Sequence, residues 1–284
     1  MARIEWTGSD GNTLVGDDFG DPDRPPVVLL HGGGQTRHAW GGTAQVLADA
    51  GFYAVAIDQR GHGESEWVAD GAYGVDRYAA DLVAVIERLG RMPAVVGASL
   101  GGLAALLAQG ESEPITSAVV LVDVAHRLEP DGVLRVIEFM RDRSERGFES
   151  LEEVADAIAA YLPHRKRPTD LSGLSKNLRL GEDGRYRWHW DPRFLTPDQR
   201  NNPAQMGARL RAAAEHLPVP TLLVRGGLSD VLSDEAAREF QQLAPNAEYV
   251  DVSSAAHMIA GDRNDIFTEA VRSFLARAIE PGSR

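Results

Sequence analysis

The sequence predicts an α/β protein, a doubly wound and mostly parallel sheet carrying one helical insertion. Three observations lead there. Short apolar runs of strand length alternate with helical patterns along most of the 284 residues. Five of those runs are nearly unbroken in apolar residues, as parallel strands covered on both faces require. The alternation lapses in one place only, from about 126 to 203.

Taken in order, 3–7 and 13–19 flank the turn Asp10-Gly11 and read as an antiparallel hairpin. Strand runs follow at 26–30 (PVVLL), 53–57 (YAVAI), 93–96 (PAVV), 118–122 (AVVLV), 221–224 (TLLV) and 248–252 (EYVDV). The last alternates more and is expected near a sheet edge. Helical patterns cover 39–50, 76–89, 100–109, 234–243 and 264–279. Strand–helix alternation of this kind implies a parallel sheet with helices on both faces. Within the lapse, amphipathic patterns at 133–144 and 151–161 precede a polar, aromatic-rich segment at 181–194. This reads as a mostly helical insertion between two sheet strands.

Composition narrows the function. Apolar residues make up 43% of the chain, enough for a full core. No run of 18 apolar residues predicts a membrane span. The first ten residues hold one basic residue and no apolar block, so no secretory signal is expected and the cytoplasm is the expected compartment. The absence of cysteine excludes disulfides, thiolate metal sites and a cysteine nucleophile. A formal charge of −13 disfavours nucleic acid as a partner and suits solubility.

Gly97-Ala98-Ser99-Leu100-Gly101 matches G-x-S-x-G, directly after a strand and directly before a helical pattern. A strand turning that sharply into a helix strains the central residue and pushes its side chain out at the sheet edge, and small neighbours relieve the crowding. Ser99 is therefore the expected nucleophile. His31-Gly32-Gly33-Gly34 follows the strand at 26–30. A tetrahedral intermediate needs two donors aimed at its oxygen, and backbone amides supply them without reorganisation. The expected donors are Leu100 and Gly33, with Gly34 as second choice.

Ser99 needs a base, and the base needs a carboxylate to fix its tautomer. His257, between the last strand and the last helix, is the expected base. Asp230, in RGGLSD just past the strand at 221–224, is the expected acid and completes the chain order Ser, Asp, His. Asp123, at the end of the strand 118–122, is the rival.

Together these residues resemble the α/β-hydrolase superfamily, from about Val27 to the C-terminus. Asp58-Gln59-Arg60-Gly61-His62-Gly63-Glu64-Ser65 looks like the family's D-x-R-G-x-G-x-S loop. The resemblance implies a structural loop whose arginine and aspartate pin nearby turns, so Arg60 and His62 stay outside the catalytic set. It also implies that 126–203 is a cap (lid) on a core domain made of 1–125 and 204–284. The overall pattern is most similar to the cap-bearing group of epoxide hydrolases, dehalogenases, esterases and carbon–carbon hydrolases. Ser99 argues against the first two, which carry an aspartate at the elbow, and Leu100 departs from the methionine usual in cofactor-free haloperoxidases.

The expected function is hydrolysis of a small carboxylic ester or lactone through an acyl-enzyme on Ser99. The alternatives are a cofactor-free perhydrolase or haloperoxidase, a carbon–carbon hydrolase, and a non-catalytic ligand-binding relative. No metal or organic cofactor is expected, because H-E-x-x-H and a G-x-G-x-x-G after a strand are absent and the glycine run lacks the lysine of a phosphate loop. The expected partner is a small-molecule substrate, with no nucleic acid and no membrane, for a monomer or homodimer. In the insertion, Tyr186, Trp188 and Trp190 are candidates for the pocket roof. Arg185, Arg187 and Arg193 are expected mainly to pair with local carboxylates such as Glu182, Asp183 and Asp191.

Overall fold

The computed structural model describes residues 1–162, 167, 169–196, 202–253 and 265–279. His257 lies outside the described residues. The chain opens with β1 (Ala2–Thr7) and β2 (Thr13–Phe19), an antiparallel pair. Then come β3 (Pro26–Leu30), α1 (Gly41–Asp49), β4 (Tyr53–Asp58), α2 (Val75–Leu89), β5 (Ala94–Ala98), α3 (Leu100–Gly110) and β6 (Ala118–Val122). The insertion supplies α4 (Pro130–Arg141), α5 (Leu151–Tyr161), β7 (Leu178–Leu180) and β8 (Tyr186–Trp188). The chain continues through α6 (Pro203–Glu215), β9 (Thr221–Gly226), α7 (Asp234–Leu243), β10 (Glu248–Val252) and α8 (Asp265–Ala278).

Eight strands form one sheet in the order β1-β2-β4-β3-β5-β6-β9-β10. The pairs from β4 to β10 are parallel, while β1 and β2 run antiparallel. β10 is an edge strand, as its alternating pattern predicts, and β1 is the other. The apolar runs of β3, β5 and β6 are buried at every residue. Alternate side chains enter different cores: Val28 and Leu30 pack with α2, α3 and α7, whereas Val27 and Leu29 pack with Trp40, Leu47 and Phe274 on the other face. Each fully buried valine or leucine contributes about 1.5–3 kcal/mol of transfer free energy, which favours the all-apolar composition of these runs.

The insertion differs from the mostly helical expectation by an antiparallel ribbon, in which β7 and β8 pair Leu178 with Trp188. It has its own apolar cluster, built on Met140, Phe148, Val154, Trp188, Trp190 and Leu195. Helix α6 has no counterpart in the expected elements. Its signals are an Asn202 side chain that accepts from Ala204 N and Gln205 N, then Pro203 at the first turn. It packs on α3, where a Cβ on Gly110 would come 2.4 Å from the Ala213 methyl. Among the described residues, no helix is long and apolar enough to cross a membrane.

Candidate active site

Ser99 sits between β5 and α3 with φ 46° and ψ −112°, a conformation rarely open to a residue bearing a Cβ. The surrounding small residues make it possible. A Cβ on Gly97 would lie 2.4 Å from Gly101 O, one on Gly101 2.5 Å from Leu30 O, and one on Gly102 2.3 Å from the Val124 side chain. The turn is anchored by Ser99 N donating to Val122 O at 3.1 Å.

The loop after β3 faces this turn. A Cβ on Gly32 would stand 3.4 Å from the Ser99 Cβ. Two of the loop's three glycine amides are engaged within the chain: Gly32 N donates to Gln35 Oε1 at 2.9 Å and Gly34 N to His62 Nε2 at 3.1 Å. Gly33 N has no acceptor among the described residues, which makes Gly33 the better donor candidate and Gly34 the poorer. Leu100 opens α3, where an amide has no intrahelical acceptor and the helix end favours developing negative charge.

Ser99, Leu100, Gly33 and Gly34 line a cavity of about 1120 Å³. Its other walls come largely from the insertion, including Val136, Met140, Ile158, Leu174, Trp188 and Trp190. Trp188 and Trp190 stack at 4.9 Å and belong at once to the insertion's core and to the cavity wall. Tyr186 is not among the lining residues; it bridges to Phe148. Tyr161 does line the cavity, and burial pushes its hydroxyl up to about 12.

The two candidate acids differ sharply. Asp123 is fully buried at the carboxyl end of β6, with φ 53°. Its Oδ1 accepts from Gly226 N at 2.9 Å and its Oδ2 from Ser229 Oγ at 2.5 Å. Asp230 is exposed, and its carboxylate pairs with Arg135 at 3.0 Å.

The 58–65 loop is structural, as the resemblance implies. Arg60 is fully buried and donates to Asp81, Asp10 and Ser9. Asp58 accepts from Arg37 N at 2.6 Å and Glu64 N at 3.0 Å, and it also pairs with the Arg37 guanidinium. The insertion's arginines are paired locally, Arg187 with Asp183, Arg193 with Asp191 and Arg185 with Glu149. Residues that sequence reasoning passed over include Gln35, which ties the glycine loop, and Met140 and Phe194, which press on Gly34 and Gly33. Periodicity carries no signal for them.

The family model for the alpha/beta hydrolase fold matches residues 25–263. Esterase Rv0045c of Mycobacterium tuberculosis is 31% identical over 261 residues, covering 88% of this chain and 83% of its own. The 3-hydroxybutyrate-oligomer hydrolase of Cupriavidus necator is 29% identical, covering 84% and 85% respectively. A crystal structure of an alpha/beta hydrolase from Novosphingobium aromaticivorans superposes with a TM-score of 0.81 at 27% identity, covering 97% of this chain and 98% of that one. An elbow serine beside a glycine loop, on a parallel sheet that matches in sequence and in shape, leads to one conclusion: the chain belongs to the alpha/beta hydrolase fold family and is an enzyme of hydrolase type.

Proposed function

We propose that the chain is a carboxylic ester hydrolase working through an acyl-enzyme on Ser99, with His257 as base and Asp123 orienting that base. The observation that carries the reading is the strained Ser99 backbone at a cavity wall shared with the Gly33 amide, which has no acceptor among the described residues. Such strain persists only where the surrounding structure over-determines it, and it marks functional positions. The activities for which the esterase and oligomer hydrolase relatives are named point the same way.

The chemistry follows from the arrangement. Ser99 Oγ attacks the ester carbonyl as His257 takes its proton, and the carbonyl oxygen becomes an oxyanion held by Gly33 N and Leu100 N. The tetrahedral intermediate collapses, and the alcohol leaves with the proton from the imidazolium. Water then attacks the acyl-enzyme by the same route and releases the acid. His257 lies in the sequence between β10 and α8, and β10 runs parallel to β9, so its carboxyl end faces the same edge as Ser99.

For the acid, the burial of Asp123 favours it over Asp230. A carboxylate that stabilises an imidazolium acts most strongly when desolvated and held by fixed donors. Asp230 is hydrated and already committed to Arg135. The segment 126–203 acts as the cap and sets substrate choice. The cavity, larger than a usual small-molecule site of roughly 300–1,000 Å³, suits an ester with a bulky apolar part better than the small ester expected from sequence. The test is a series of p-nitrophenyl esters from acetyl to dodecanoyl, assayed on the native enzyme and Ser99→Ala. Turnover that rises with acyl length and vanishes in Ser99→Ala supports the reading; a variant retaining a tenth of the activity overturns it.

A further inference from the structure

Three buried imidazoles surround the glycine loop, and each bridges one backbone N–H and one backbone carbonyl. His31 Nε2 accepts from Gln59 N at 3.0 Å, and its Nδ1 lies 2.7 Å from Gly32 O. His62 Nε2 accepts from Gly34 N at 3.1 Å, with Nδ1 3.0 Å from Arg60 O. His189 Nδ1 accepts from Gly63 N at 2.7 Å, with Nε2 3.2 Å from Gly34 O. An amide can only donate and a carbonyl can only accept, so these partners select one neutral tautomer for each ring. The rings pack in series, His31 to His62 at 5.2 Å and His62 to His189 at 5.8 Å.

The bonded atoms have a specific relation to Gly33. The peptide unit that carries Gly33 N has Gly32 O as its carbonyl, and His31 donates to that oxygen. The next peptide unit is held through Gly34 N by His62, and the one after it through Gly34 O by His189. Glycine backbones are the least constrained of all, and a donor aimed at an oxyanion acts only while its orientation is fixed. His31 and His62 come from the sheet edge. His189 comes from the 126–203 segment, 155 residues from Gly34 in sequence. It is 2% exposed, and the neighbouring Trp190 lies against Gly34 together with Met140.

We propose that His189 is a positioning residue, through which the docked 126–203 segment holds the Gly33 amide in the orientation that an oxyanion requires. The proposal rests on the reading of Ser99 as nucleophile. The cap thereby contributes to turnover as well as to substrate choice. Burial keeps His189 well below its ordinary pKa, consistent with a ring that must stay neutral to accept from Gly63.

The test compares two variants that each keep half of the bridge. His189→Gln retains a donor near the Nε2 position for Gly34 O. His189→Asn retains an acceptor near Nδ1 for Gly63 N and loses the bond to Gly34. The expected result is a kcat loss of about 10- to 100-fold in His189→Asn, below the 10²–10³ cost of deleting an oxyanion donor, with KM little changed and substantial recovery in His189→Gln. A trifluoromethyl ketone, which forms an oxyanion on the serine, should lose affinity in His189→Asn by the same factor, while a non-reactive ketone-free analogue binds as before. Equal kcat in both variants, or parallel losses for both inhibitors, overturns the proposal. Ser99→Ala separates the two readings: if it is inactive while His189→Asn is unimpaired, only the positioning role fails, and if it stays active the nucleophile itself is wrong.

Discussion

The Asp123 carboxylate accepts the Ser229 hydroxyl at 2.5 Å, a bond that joins the carboxyl ends of β6 and β9. Ser229 also accepts from Val231 N and Leu232 N, so the turn after β9 closes around this hydroxyl. Asp230 follows directly and turns outward to Arg135. One residue of phase in a tight turn therefore separates the Ser229 hydroxyl, which faces the buried Asp123, from the Asp230 carboxylate, which faces solvent.

Asp123→Asn should consequently lower kcat by about 10⁴-fold, the scale set by loss of a base-orienting carboxylate in other triads. Asp230→Asn removes an exposed ion pair, worth at most about 1 kcal/mol of stability, and should leave kcat within about twofold. Steady-state kinetics on both variants decide the matter. A larger loss in Asp230→Asn reverses the assignment and restores the acid expected from sequence.

Ser99 stores strain that an inactive enzyme no longer requires. Glycine adopts positive φ without a Cβ penalty, so Ser99→Gly should be inactive yet more stable than the native protein by about 1–3 kcal/mol. Urea unfolding provides the comparison, with Ser99→Ala as the control that removes the hydroxyl and keeps the Cβ. Equal midpoints for the glycine and alanine variants would show that the elbow carries no recoverable strain.

Much of this molecule is legible in the sequence because its rules are local. β3, β5 and β6 announce themselves as apolar runs because both their faces are covered, and the elbow is a steric solution written in five consecutive residues. What was not legible depends on distance or phase. The choice between Asp123 and Asp230 turns on the direction of the 226–230 turn, which β6 fixes across the sheet through Gly226 N. The His189 bridges span 126 and 155 residues, so no window contains both partners. Helix α6 escaped because its buried residues, Leu210, Ala213 and Ala214, form a narrow stripe of mostly small side chains beneath charged arginines and glutamate. The β7–β8 ribbon escaped because three-residue strands leave no period to count.

The neutral imidazoles make stability pH-dependent in a definite direction. Burial depresses His31 to about 4 and His62 to about 3, against an ordinary value of 6.5. Above pH 6.5 folded and unfolded states are both neutral and these groups contribute no slope. Below it the unfolded chain binds protons that the folded chain refuses, so stability falls as pH falls, down to about 4 for His31 and about 3 for His62. Each ring contributes up to about 1.4 kcal/mol per pH unit in that window. Urea unfolding between pH 6.5 and 5, above most carboxylate titrations, should show the slope, and His62→Gln should reduce it by about one proton. An unchanged slope in that variant would mean that His62 is protonated within the fold.

Trp188 and Trp190 offer the last prediction, because two roles meet in one side chain. Trp190 is 3% exposed, stacks on Trp188 and forms part of the cavity wall. Truncation to alanine should cost about 3–5 kcal/mol locally, as for other buried large side chains. That loss falls on a cluster drawn wholly from the 126–203 segment, apart from the two cores that flank the sheet. Trp190→Ala should therefore loosen the cap before it unfolds the core. If Trp190 touches the substrate, kcat/KM for octanoyl and longer esters should fall by about 1–3 kcal/mol in equivalent terms, roughly 5- to 150-fold. Acetyl esters, which offer the wall less apolar surface, should fall less, and Ser99 should still be labelled by a fluorophosphonate. A uniform fall across all chain lengths would mean that the side chain acts only through packing, as a loosened cap lets water and the glycine loop relax together. The ratio of octanoyl to acetyl turnover thus separates a wall that the substrate touches from a scaffold that it does not.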